Sequence, residues 1–176
     1  MIRRQRSPNG TLFVALAAAI VTACSDGEKG VIQAQAGDAV IALSEGECDV
    51  TCPIYDMTLH PDGKYVLNGV RFVKTSGVSE GDIGEPAWTA AEKVLADAGF
   101  WIMEPEQTAE TLANCKDGAP TAKITWRTEE GKEKTVTYYA GCGVRKMEDI
   151  VRSLRAALDF EYLVWTNDRF DPGGNR

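Results

Sequence analysis

Ten uninterrupted apolar residues, Leu12 to Val21, lie between Arg3, Arg4 and Arg6 on one side and Thr22-Ala23-Cys24 on the other. A basic start, a short apolar stretch and small residues at a cut site describe an export signal. Ten residues of helix span about 15 Å, half of a ~30 Å hydrocarbon core, which is too short for a permanent membrane span. Residues 1–23 are therefore expected to be removed as a signal peptide, and the fold is confined to the chain from Cys24 onward. The Arg3-Arg4 pair lacks the rest of a twin-arginine pattern and reads as ordinary basic charge.

Val21-Thr22-Ala23-Cys24 resembles the lipobox of bacterial lipoproteins, in which the cysteine becomes the first mature residue and carries acyl chains. The resemblance implies lipidation of Cys24, with a thiol to form the thioether and small neighbours to admit the peptidase. Ser25 and Asp26 follow, a pattern similar to that of lipoproteins sent to the outer membrane. The expected place is thus the bacterial cell envelope, at the outer membrane facing the periplasm.

The chain of 176 residues has a formal charge of -7. Removing Arg3, Arg4 and Arg6 leaves 16 basic residues against 26 acidic ones, a formal charge of -10. An acidic surface argues against nucleic acid as a partner, since that binding needs a basic face. It is also repelled by anionic headgroups, so membrane attachment falls to the acyl chains on Cys24. More than one chain is needed for stable anchoring, which a multiply acylated cysteine supplies.

Four cysteines remain: Cys48, Cys52, Cys115 and Cys142. In an oxidising compartment they are expected to form disulfides, with three possible connectivities. Ala122-Lys-Ile-Thr-Trp-Arg127 and Lys134-Thr-Val-Thr-Tyr-Tyr139 read as two strands joined by the turn Glu129-Glu130-Gly131-Lys132. Paired positions in such a hairpin keep a constant index sum, near 260 when residues 127 and 133 face each other. Cys115 and Cys142 sum to 257, which places them together at its open end. Cys115–Cys142 and Cys48–Cys52 are the expected pairs.

From Ser25 to Gly37 the chain is polar, and 24–37 reads as a tether. A single domain is expected over 38–165, with a frayed tail at 166–176, where Asp-Pro-Gly-Gly-Asn occurs. Ala39 to Leu43 is a first strand. Ile54 to His60 alternates, with Tyr55, Met57 and Leu59 on one side. Pro61-Asp62-Gly63 turns the chain, and Lys64 to Lys74 returns as a strand whose parity changes near Gly69, the mark of a bulge. Gly77 to Glu85 reads as a loop. Pro86 suits the first position of a helix and Gly99 the residue past its end, with Ala87, Ala91, Val94, Leu95 and Ala98 buried. Met147, Ile150, Val151, Leu154 and Leu158 form the apolar stripe of a second helix, with Arg145, Lys146, Arg152 and Arg155 on its other face. The order predicts an α+β domain: an antiparallel sheet of two hairpins, with helices packed on one face.

The segment Cys48-Asp-Val-Thr-Cys52-Pro53-Ile54-Tyr55 resembles the opening motif of a bacterial family catalogued as domain of unknown function 6438. Cys115-Lys-Asp-Gly-Ala-Pro-Thr121 and Tyr138-Tyr-Ala-Gly-Cys142 resemble its second half, so the likeness covers about 46–160. Val50 stands where the family's motif has glycine. The resemblance implies an exported or lipid-anchored domain and no particular activity.

Cys48-x-x-x-Cys52-Pro53 is also similar to the copper-binding motif of the Sco chaperones, whose two thiolates work with a distant histidine. That alternative predicts copper handling or thiol–disulfide exchange at Cys48, Cys52 and His60, with soft ligands suited to copper(I). Against it, a strand rather than a helix follows Pro53, and Met57 and His60 have opposite parity. His60 is the chain's single histidine and precedes Pro61 at a turn, so a triad needing a second imidazole is excluded. Glu104, Glu106, Asp168 and Asp171 lack calcium-loop spacing, and Gly77-x-x-x-Gly81-x-x-Gly84 lacks the ending of a phosphate loop. Trp88, Trp101, Trp126 and Trp165 read as core or rim. No cofactor and no catalytic apparatus are expected. A non-enzymatic module that binds an envelope protein or cell-wall polymer is the favoured reading.

Overall fold

The computed structural model describes residues 38–49 and 51–165. The expected signal peptide over 1–23, Cys24, the expected tether over 24–37, Val50, Asp168, Asp171 and the rest of the chain after 165 lie outside the described residues. Alternating side chains set the strands. Ile41, Leu43 and Glu45 of β1 (Val40–Glu45) point inward, as do Tyr55, Met57 and Leu59 of β2 (Ile54–Leu59). On the other hairpin, Ala122, Ile124 and Trp126 of β6 (Thr121–Arg127) and Val136 and Tyr138 of β7 (Glu133–Tyr139) do the same. Their pairing keeps the expected index sum, from Thr121 opposite Tyr139 to Arg127 opposite Glu133. The turn between them is closed by the Gly131 amide donating to the Thr128 carbonyl at 3.0 Å.

The class is α+β, with a sheet larger than two hairpins. It has seven strands in the order β4-β3-β2-β1-β6-β7-β5. β3 (Lys64–Arg71) is followed by β4 (Gly77–Asp82), which lies antiparallel along it with Lys64 opposite Asp82. Read as a loop, the Gly77–Glu85 stretch forms a strand over Gly77–Asp82 because β3 offers it an edge, although apart from Val78 these residues have low strand propensity. β5 (Glu106–Gln107) pairs parallel with β7, so the sheet is mixed. The bulge falls as expected: Gly69 faces Tyr55, Arg71 faces Ile54, and Val70 has no opposite residue. A Cβ on Gly69 would lie 2.1 Å from the Thr75 carbonyl oxygen.

Helix α1 (Glu85–Asp97) starts with Pro86 in its first turn and stops before Gly99, which is left-handed at φ 66°. Its buried stripe is Trp88, Ala91 and Leu95, while Ala87, Val94 and Ala98 are half-buried beside it. α2 (Arg145–Ala157) buries Met147, Ile150, Val151 and Leu154 of its stripe, and Leu158, the residue that ends it, is buried with them. A short α3 (Phe160–Leu163), not anticipated, adds Phe160 and Val164 to the core. These side chains merge with the inward face of the sheet in one cluster. The opposite face is hydroxyl-bearing: Thr125 and Thr135 stand across from each other with their oxygens 2.8 Å apart.

Candidate functional site

Four strand ends meet at one end of the sheet, those of its neighbouring strands β2, β1, β6 and β7. Glu45 ends β1 opposite Tyr55 near the start of β2, and Ala122 near the start of β6 stands between Glu45 and Tyr138. The chain beyond these ends carries all four cysteines. Cys48 and Cys52 pair with their Cα atoms 6.2 Å apart, and Cys115 and Cys142 pair at 3.9 Å. Both pairings are those expected from the hairpin register. Backbone bonds link the two loops: the Asp49 amide donates to the Gly118 carbonyl at 3.0 Å, and the Lys116 amide to the Gly141 carbonyl at 2.8 Å.

His60 is elsewhere. It lies past the far end of β2, in the turn where its carbonyl accepts from the Gly63 amide. Eight residues of mostly extended chain, about 25 Å, separate it from Cys52. The structure therefore does not bring Cys48, Cys52 and His60 together. Among the described residues no group of three or more His, Cys, Asp and Glu is placed to hold a metal ion.

What the cystine end does contain is a buried charge. Glu45 is the buried acid of the core, 4% exposed. Its Oε1 accepts from Arg155 Nη2 at 2.6 Å, and its Oε2 accepts from Arg155 Nε and from the Tyr55 hydroxyl, each at 3.1 Å. Arg155 also lies over the Phe160 ring, 4.9 Å from its centroid, and Phe160 packs on Tyr55 at 5.3 Å. A carboxylate taken from water is tolerable only when paired and hydrogen-bonded, which three donors achieve. Burial holds the Tyr55 hydroxyl well above its ordinary pKa, and the Glu45 charge adds to the rise. Burial opposes the charge on Arg155, but Glu45 outweighs it and raises the guanidinium above its usual value.

Beside the pair is a cavity of about 240 Å³, lined by Glu45, Tyr138, Glu148, Arg152 and Arg155 among others. The Tyr138 pKa is raised, first by burial and then by Glu148. Groups of perturbed titration converging on a cavity mark a candidate site. Because Glu45 and Arg155 are committed to each other, the arrangement fixes α2 on the sheet and offers mixed charge to a small polar ligand.

Sequence reasoning placed Arg155 on the outer face of α2, whereas it turns inward to Glu45. The signal was present in two pieces. Glu45 continues the inward parity of Ile41 and Leu43, and Arg155 stands four residues after Val151, on the flank of the buried stripe. An acid in an inward register demands a partner.

The aromatic residues resolve as core and rim. Trp126 is buried and stacks on Trp101 with centroids 4.7 Å apart, while Lys132 lies 4.0 Å from the Trp101 centroid.

The family model described as Domain of unknown function (DUF6438) matches residues 39–159. The chain belongs to the DUF6438 family. The match starts ahead of the 46–160 resemblance and takes in the whole of β1, so the DUF6438 domain includes Glu45, Arg155 and all four paired cysteines. No curated protein matches the chain.

Proposed function

We propose that this DUF6438 chain is an exported lipoprotein, acylated at Cys24 and held at the bacterial outer membrane facing the periplasm. There its domain acts as a non-enzymatic module that binds an envelope protein or a cell-wall polymer. The observation carrying this reading is the conjunction of a short apolar segment ending at Cys24 with two cystine pairs. Disulfides persist outside the reducing cytoplasm, so both features call for the same compartment. A copper or thiol–disulfide role through Cys48 and Cys52 has less support, because His60 is a strand's length away.

Intact mass of protein extracted from bacterial membranes tests the proposal. The expected product begins at Cys24 and exceeds its polypeptide mass by a lipid increment, and Cys24→Ala abolishes both the increment and labelling by an alkynyl fatty acid. An unmodified, soluble chain overturns it.

A further inference from the structure

Away from the Glu45–Arg155 pair, a second cavity of about 520 Å³ opens between the 103–112 segment and the first turn of α2. Its size suits a small organic ligand rather than a solvent pit. Met103, Leu112, Val144 and Met147 give it an apolar lining. Methionine is the side chain best able to fit apolar groups of varied shape. The walls are held in place. Glu106 and Gln107 are strand β5 on β7, the Pro105 carbonyl accepts from the Thr137 amide at 2.7 Å, and Cys115–Cys142 ties the segment to the turn that leads into α2.

The charges around it are unequal. Glu104, Glu106 and Lys146 line the cavity and are exposed, and none of them is in an ion pair with a described residue. The Glu106 carboxylate accepts from the Thr137 hydroxyl at 3.2 Å, which leaves its charge in place. Two carboxylates against one ammonium favour a cation at the mouth. We infer that this cavity binds a small amphiphile with an aliphatic chain and a positively charged head. The inference concerns a cavity separate from the Glu45–Arg155 pair and does not rest on acylation of Cys24.

Calorimetric titration of the full chain at neutral pH tests it, using dodecylamine, dodecanoate and octyl glucoside below their micellar concentrations. The expected result is one dodecylammonium per chain, bound about tenfold more tightly than dodecanoate. In a Glu104→Gln/Glu106→Gln variant the preference should fall to about twofold or less. Leu112→Gln, an uncharged change at a position 36% exposed, should weaken both ligands. Equal affinities for the two charges, several bound molecules per chain, or affinities untouched by Leu112→Gln would overturn the inference. So would binding of an alternating leucine–lysine peptide without any binding of dodecylammonium, which would reassign the cavity to a protein partner.

Discussion

The two ends of the sheet are held together by different physics. At the cystine end, two disulfides fasten the loops, and the half-buried Glu45–Arg155 ion pair fixes α2 on the sheet. At the opposite end, tight turns and aromatic packing suffice. Gly63, at φ 84°, lets the β2–β3 turn lie so close to Gly84 that a Cβ there would fall 2.1 Å from that backbone. Trp126 stacks on Trp101, and Lys134 donates to the carbonyls of Trp101 and Met103. The contrast teaches that the disulfides and the buried carboxylate lie where the sheet must hold irregular chain, whereas the turns at the other end carry the ion pairs Lys64–Asp62 and Arg127–Glu133 beside their tight backbone.

Perturbations at three places (the disulfides, the ion pair and Tyr55) sharpen this comparison, ordered by the largest effect expected at each. Replacing Cys115 and Cys142 together by serine releases a loop spanning 27 positions and should cost about 3–4 kcal/mol in urea unfolding. The Cys48→Ser/Cys52→Ser variant opens a far shorter loop and should cost about 2 kcal/mol. Amide exchange should accelerate at the cystine end in both, with the Gly63 turn unchanged. A reversed order of the two costs would break the chain-entropy account of this end.

Next, Arg155→Met strands Glu45 in the core. The expected loss is about 3 kcal/mol, the low side of the usual range because water partly screens a side chain that is 37% exposed. Adding Glu45→Leu to that variant should recover part of the loss, since it removes the stranded carboxylate but leaves the Tyr55 hydroxyl without its acceptor. If the double variant is no better than the single one, the pair is not a local unit.

The smallest effect is in pH dependence. Tyr55 has a folded pKa raised well above 10.0, so the folded state keeps its proton when the unfolded chain has lost it. The stability it contributes is whole below pH 10 and is lost as pH climbs from there through the raised folded value. Tyr55→Phe should flatten that alkaline decline. An unchanged slope would show that another group governs it.

Much of the architecture is legible locally, because side-chain period is a local property. The β6–β7 register, the Gly69 bulge, the α2 stripe and the ends of α1 at Pro86 and Gly99 all follow from parity, turn residues and helix signals within a few positions. Even the disulfide pairing could be read, since one hairpin's register places Cys115 beside Cys142.

What required the tertiary structure was whatever depends on a neighbour distant in sequence. Gly77–Asp82 has only Val78 to favour a strand, and β3 makes it one by supplying an edge to pair with. Glu45 and Arg155 are 110 positions apart. Each one's orientation is hinted at by its own periodicity, but their meeting exists only once α2 packs on the sheet. His60 and Cys52 show the converse: eight positions apart in sequence, they are kept apart by a strand. Periodicity says which way a side chain faces, and only packing decides what it faces.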